Sequence, residues 1–148
     1  MTKYAYPEAK KLIQSICKAA DEGEYDTREK FLSMLDGNLA IASQGYNAFG
    51  KIFYWNYGST ELYGYKEYDV VNKDLIELIL PQELRQYARD MIRVAQKTGK
   101  FPEPSSCDLL TCNNEYITVY SGHLVFQWEE SSQPEFYCID VAIDPVTA

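Results

Sequence analysis

The chain has 148 residues, which is enough for one domain with a hydrophobic core and too few for two ordinary domains. Hydrophobic residues make up 46% of the sequence, so the composition is that of a globular and not a disordered chain. The net charge of −8 at pH 7 repels phosphate groups, and we therefore expect no binding to nucleic acid or to anionic membrane surfaces.

Two helices are predicted before the first strand. Residues 7–20 place apolar side chains at the 3.6-residue period of a helix, and Pro7 stands in the first turn, where its missing N–H does no harm. A second helix is predicted from Asp26, with Glu29 completing a capping box. Together these helices form an N-terminal extension, residues 1–36.

Residues 37–148 are predicted to form the main domain, in which helices interrupt a run of short strands. The predicted elements, in chain order, are strands at 39–43 and 51–55, helices at 57–63, 66–71, about 73–79 and 81–98, and strands at 106–110, 116–126 and 136–141. The glycine-bounded stretch 44–50 is predicted as a loop, and Asn113 and Asn114 as a hairpin turn. Five short strands are too few for two good layers, so they predict one sheet.

The most informative motif lies at the second strand and the helix that follows it. An aromatic and β-branched run ends at Trp55, and Asn56 offers a side-chain oxygen to the free N–H groups of the next helix. Gly64 ends that helix, because glycine adopts the left-handed conformation at little cost. Further on, Asn72 can adopt the backbone of a glycine, and Lys73 follows it.

From Trp55 to Lys73 this pattern resembles the opening of a PAS domain, a small sensor and interaction module, and the likeness covers about residues 35–141. The resemblance implies an α+β fold with a five-stranded antiparallel sheet, with short helices and one long helix on one face, preceded here by the two N-terminal helices. It also implies a role in signal transduction. Because PAS domains share a fold and differ in what they hold, the ligand has to be argued from the residues.

The sequence identifies no cofactor, and it argues against three that PAS domains carry. It lacks the Asn-Cys-Arg-Phe-Leu segment of flavin photoreceptors and the central cysteine of cinnamate-type photoreceptors. Haem-binding members place a histidine on the long helix or the turns before it, and residues 57–98 contain none. The four cysteines form no CxxC pair, so a metal site is not expected, and they are interpreted as small semi-buried apolar residues: Cys17, Cys107, Cys112 and Cys138.

The only histidine, His123, lies on the predicted strand 116–126. Alternation places it on one face with Val119 and Ser121. If that face turns toward the helices, His123 points into the pocket as a polar anchor. Two alternatives stay open: a structural or solvent-facing histidine, and a β-bulge at Gly122 that reverses the register.

A ligand pocket is predicted between the inner face of the sheet and the short helices. Ile52 and Tyr54 have the same parity on their strand and are expected to face it together. The pocket candidates are Ile52, Tyr54, Leu62, Tyr63, Val71, Ile76, Leu80, Tyr87, Met91, Val119 and His123. The alternative is that these side chains only fill the core.

The N-terminal helices carry an apolar stripe that requires a partner surface. In PAS domains such helices cover the outer face of the sheet or build a dimer, and we expect a homodimer. The interface candidates are Leu12, Ile13, Ile16, Phe31 and Leu32. No apolar run follows a basic start and none is long enough for a membrane span, so a soluble cytoplasmic protein is expected.

Three functions follow from the sequence. The first is a sensor that binds a small molecule and relays the signal to an effector protein, to an attached effector domain outside this chain, or through its own dimer. The second is a protein–protein interaction or dimerisation domain with a filled core. The third, a small enzyme on a similar curved sheet, has little support, because no acid–base pair, phosphate loop or nucleophile motif is visible and no catalytic residue is assigned.

Overall fold

One antiparallel sheet organises the protein, with helices packed on both of its faces. A computed structural model describes residues 1–145. The elements are α1 Tyr6–Asp21, α2 Arg28–Asp36, β1 Ala42–Tyr46, β2 Ile52–Trp55, α3 Tyr57–Tyr63, α4 Glu67–Val70, α5 Leu75–Ile79, α6 Gln82–Thr98, β3 Ser105–Leu110, β4 Tyr116–Phe126 and β5 Glu135–Ala142. The strand order is β2-β1-β5-β4-β3, and every neighbouring pair is antiparallel. The predicted α+β fold with five strands is confirmed.

Local signals set the helix ends where the sequence contains them. Asn56 caps α3 by accepting a hydrogen bond from the Ser59 N–H at 2.9 Å, and Gly64 ends it at φ 87°. Asn72 takes the positive φ of 71° that a glycine would adopt. The cap of α2 differs from the prediction: Thr27, not Asp26, accepts from the Lys30 N–H at 3.2 Å. The Asp26 carboxylate instead pairs with the Lys30 ammonium group.

The first strand lies further along the chain than predicted. Residues 39–43 were expected to be extended and 44–50 to form a loop, whereas β1 runs from Ala42 to Tyr46. Gly45 lies within this strand, and the position requires glycine because a Cβ there would lie 2.8 Å from the Tyr137 ring and 2.9 Å from the Phe53 ring. This glycine therefore permits close packing of aromatic rings and does not mark a turn.

A β-bulge in β2 separates Ile52 from Tyr54. Gly45 pairs with Tyr54 and Tyr46 pairs with Ile52, so Phe53 is an extra residue on its strand. Ile52 packs with the core under α3–α6, whereas Phe53 and Tyr54 pack with the N-terminal helices on the opposite face. The expectation that Ile52 and Tyr54 face the same side is therefore wrong.

The N-terminal helices cover the outer face of the sheet, defined as the face that carries Tyr120, Tyr137 and Ile139. Ile13 of α1 and Phe31 of α2 are fully buried there. The strand pairing of β4 continues in regular register through Gly122, so the alternative of a bulge at this glycine does not apply. The glycine is needed because a Cβ would lie 2.8 Å from Ile13 Cγ2 of α1.

The inner face of the sheet packs against α3, α4, α5 and α6. Its buried core includes Trp55, Val119 and Phe136 from the sheet and Leu62 and Ile79 from the helices. Within residues 1–145, no helix is long and apolar enough to cross a membrane.

Candidate ligand-binding site

A cavity of about 300 Å³ lies between the inner face of the sheet and helices α5 and α6. This volume is at the lower end of the range of about 300–1,000 Å³ that is usual for small-molecule sites. The helix side of the cavity is lined by Leu75, Ile76, Ile79, Leu80, Leu84, Tyr87, Ala88, Met91 and Ile92. The sheet side and the loop before β3 contribute Tyr46, Phe101, Pro102, Glu103, Ser105, Ser106, Cys107, Leu109, Ser121, His123, Cys138 and Asp140.

Five of the sequence-predicted pocket residues line this cavity: Ile76, Leu80, Tyr87, Met91 and His123. Ile76 comes from α5, and Leu80 from the turn that follows it. Tyr87 and Met91 lie one turn apart on α6, and Tyr87 keeps 59% of its surface exposed at the cavity mouth. Tyr87 and Met91 therefore lie on the same face of α6, as the 3.6-residue period of the helix predicts.

The other six lie elsewhere. Ile52, Leu62, Tyr63 and Val119 are buried in the core beside the cavity. Val71 is half-buried at the end of α4 and does not reach the cavity. Tyr54 lies on the outer face because of the bulge in β2, and its hydroxyl donates to Asp36 Oδ1 at 2.9 Å.

His123 faces the cavity from β4. Val119 and Ser121 share its side of the strand. Val119 is buried in the inner core, and Ser121 lies on the cavity wall. The imidazole packs on Phe101 with ring centroids 5.3 Å apart, and among residues 1–145 no group hydrogen-bonds to it. Burial lowers the pKa of His123 to about 4, so the ring is neutral at physiological pH.

A buried carboxylate forms the floor of the cavity. Asp140 of β5 is 1% exposed, and its two oxygens accept hydrogen bonds from Tyr63 Oη at 2.7 Å and Ser121 Oγ at 2.6 Å. Burial raises the pKa of this carboxyl, and the hydrogen bonds lower it in part. Gln44 lies in the same network, and its Oε1 is a buried oxygen without a partner among the described residues.

Sequence reasoning missed the cavity wall that β5 provides. Cys138 and Asp140 alternate along this strand with fully buried residues of the outer face. A charged residue inside an otherwise apolar strand was the available signal, because a carboxylate is buried only with partners. Burial raises the pKa of the Cys107 thiol to about 12 and that of Cys138 well above its usual value, so both thiols stay protonated near neutral pH.

The fold matches that of solved PAS domains. A PAS domain from Colwellia psychrerythraea superposes with a TM-score of 0.63 at 19% identity, covering 78% of this chain and 95% of that one. A PAS domain from Desulfitobacterium hafniense gives a TM-score of 0.61 at 13% identity, covering 75% of this chain and 99% of that one. The protein therefore has the PAS fold, as the resemblance at Trp55 to Lys73 predicts.

A third structure contains a bound molecule. The PAS domain of the quorum-sensing receptor RpfR from Cronobacter turicensis, solved in complex with C12:0, superposes with a TM-score of 0.56 at 14% identity, covering 71% of this chain and 95% of that one. No family profile and no curated protein sequence matches the chain. Within the described part of the chain, no group of three or more His, Cys, Asp or Glu side chains is arranged to hold a metal ion.

Proposed function

We propose that this protein is a sensor module of signal transduction that binds a small molecule in the cavity between α5, α6 and the inner face of the sheet. The observation that carries the proposal is the cavity of about 300 Å³ into which His123 presents a ring without a hydrogen-bond partner among the described residues. Apolar walls with a few polar groups are typical of ligand sites. The PAS structure in complex with C12:0 is a precedent for a bound molecule in this fold.

The signal would leave the protein through its surface, toward an effector protein or a second copy of the chain. Helix α6 offers a route, because it lines the cavity with Met91 and exposes Val94, 45% accessible, about one turn further along. A cytoplasmic location remains a prediction from the sequence.

A second function has its own support. Four of the predicted pocket residues lie in the buried core and do not line the cavity: Ile52, Leu62, Tyr63 and Val119. This packing favours an interaction domain that needs no ligand. No catalytic role is proposed.

Native mass spectrometry of the freshly purified protein tests the proposal. We expect a native mass above an integer multiple of the chain mass, with an excess that denaturation removes. The variant Ala88→Phe, which fills the cavity from α6, should lose this excess. The matched variant Val94→Phe, at an exposed position of the same helix that does not line the cavity, should keep it.

The opposite outcome has a distinct signature. A native mass equal to an integer multiple of the chain mass, together with a higher melting temperature for Ala88→Phe, would show that the cavity is empty space that a larger side chain fills favourably. That result would favour the interaction domain.

A further inference from the structure

The charged groups of the cavity wall have one sign. Glu103 and Asp140 line it, and no lysine or arginine of the described residues does. The three arginines of α6 are turned to other partners. Arg85 Nε donates to the Leu80 carbonyl at 3.0 Å, Arg89 pairs with Asp74 at 3.0 Å, and Arg93 pairs with Asp90 at 3.1 Å. An anion that entered the cavity would therefore be desolvated without a cation to compensate it, which is costly.

A cationic ligand is not favoured either. The Asp140 carboxylate already accepts from Tyr63 and Ser121, so part of its charge is balanced by hydroxyl dipoles. Glu103 is exposed at the mouth, where water screens its charge. An ammonium group would lose its hydration to the isoleucine and leucine side chains of α5 and gain no unoccupied charged partner.

His123 supplies a polar contact that remains open. A neutral imidazole has one N–H donor and one nitrogen acceptor, and neither is used by a group of residues 1–145. The two ring nitrogens point away from each other, so one ligand group can bond to only one of them. A hydroxyl or a primary amide both donates and accepts, and it can therefore use whichever of the two it meets.

We propose that the cavity takes a small uncharged molecule with an apolar body and one hydroxyl or amide group that hydrogen-bonds to His123. This inference rests on the sensor function proposed above and specifies the chemical class of its ligand. The apolar body would lie against Ile76, Ile79 and Met91.

Three probes of equal chain length test the class: 1-octanol, octanoate and octylammonium, titrated at pH 7 with calorimetry or NMR chemical shifts. We expect 1-octanol to bind at least tenfold more tightly than either ion. If octanoate or octylammonium binds as tightly as 1-octanol or more tightly, the proposed class of uncharged ligands is wrong, and the proposed sensor function is still supported. Failure of all three probes would overturn both proposals.

Two variants test the role of His123. His123→Phe keeps a ring against Phe101 and removes both hydrogen-bonding atoms, so the affinity for 1-octanol should fall about tenfold. His123→Gln keeps one donor and one acceptor and should stay within about threefold of the native affinity. If His123→Phe is folded by circular dichroism and binds 1-octanol as tightly as the native protein, the assignment of the contact to His123 is wrong.

Discussion

At the scale of single residues, the buried polar groups decide what the inner face can do. Asp140 in the central strand β5 is enclosed, and Tyr63 reaches it from α3 with a 2.7 Å hydrogen bond. Because a buried carboxylate is costly unless it is hydrogen-bonded, this contact couples α3 to the floor of the cavity. His123 differs, because its partner among the described residues is only an aromatic ring.

His123 should make the stability of the protein depend on pH. Its pKa is about 4 in the folded chain and 6.5 when unperturbed, so the unfolded state binds the proton more tightly. The contribution of the neutral ring is therefore present above pH 6.5 and is lost as the pH falls toward 4. Between pH 7 and 4.5 the native protein should lose about 2 kcal/mol of unfolding free energy that His123→Gln does not lose.

Urea unfolding of both proteins at several pH values measures this difference. Carboxylates titrate in the same range, but they are common to both chains and cancel in the comparison. Parallel curves for the native protein and His123→Gln would show that the ring is solvated and not held neutral by burial.

At the scale of elements, the helix ends and turns were predicted accurately from the sequence where the residues that determine them are close by in the chain. The cap Asn56, the stop Gly64 and the turn residues Asn72 and Asn114 act on backbone within a few positions of themselves, and the structure places each as expected. The helix α6 was predicted to within a residue because its apolar period and its glycine stop lie in one stretch of chain.

Prediction from the sequence failed where the conformation of a segment depends on a residue in another strand. Gly45 was predicted to lie in a loop, whereas it is a strand residue whose lack of a side chain is required by Tyr137 of β5, which is remote along the chain. The bulge at Phe53, which turned Tyr54 away from the cavity, follows from the pairing of β1 with β2 and from no local pattern. Of the residues that line the cavity, sequence reasoning named some on α5, α6 and β4 and none on β5.

Gly45→Ala tests this explanation of β1. The new methyl group would lie within 3 Å of Tyr137, Phe53 and Tyr54, so overpacking should cost about 1–3 kcal/mol of unfolding free energy. The control Gly37→Ala, at the end of α2 with φ −86°, meets no such contact and should change stability by less than about 0.5 kcal/mol. Equal stabilities in chemical denaturation would mean that β1 moves to accommodate the side chain.

At the scale of the whole molecule, the N-terminal helices complete the outer face of the sheet. Phe31 packs against Tyr137 with ring centroids 4.9 Å apart, and Arg28 pairs with Glu135 at 2.9 Å. Trp128 Nε1 donates to the Tyr25 carbonyl before α2 at 2.9 Å. These helices were expected either to cover the outer face of the sheet or to build a dimer, and in the structure they cover the sheet.

This packing changes the argument for a homodimer. Three of the interface candidates, Ile13, Ile16 and Phe31, are at most 7% exposed and already buried within their own chain. Leu12 and Leu32 are only half-buried and are the two candidates that a second chain can still reach. The homodimer stays a prediction, and a dimer built on the extension would have to use these two side chains.

The oligomeric state of the full chain, measured by light scattering after size exclusion, tests that prediction. We expect a dimer that the double variant Leu12→Glu with Leu32→Glu converts to a folded monomer, because two carboxylates per chain would be buried in the interface without partners. The control Leu39→Glu lies outside the N-terminal extension on a side chain that is 80% exposed, and it should leave the dimer intact. A monomeric native protein would contradict the predicted homodimer. A double variant that remains dimeric would show that the interface lies outside the N-terminal helices.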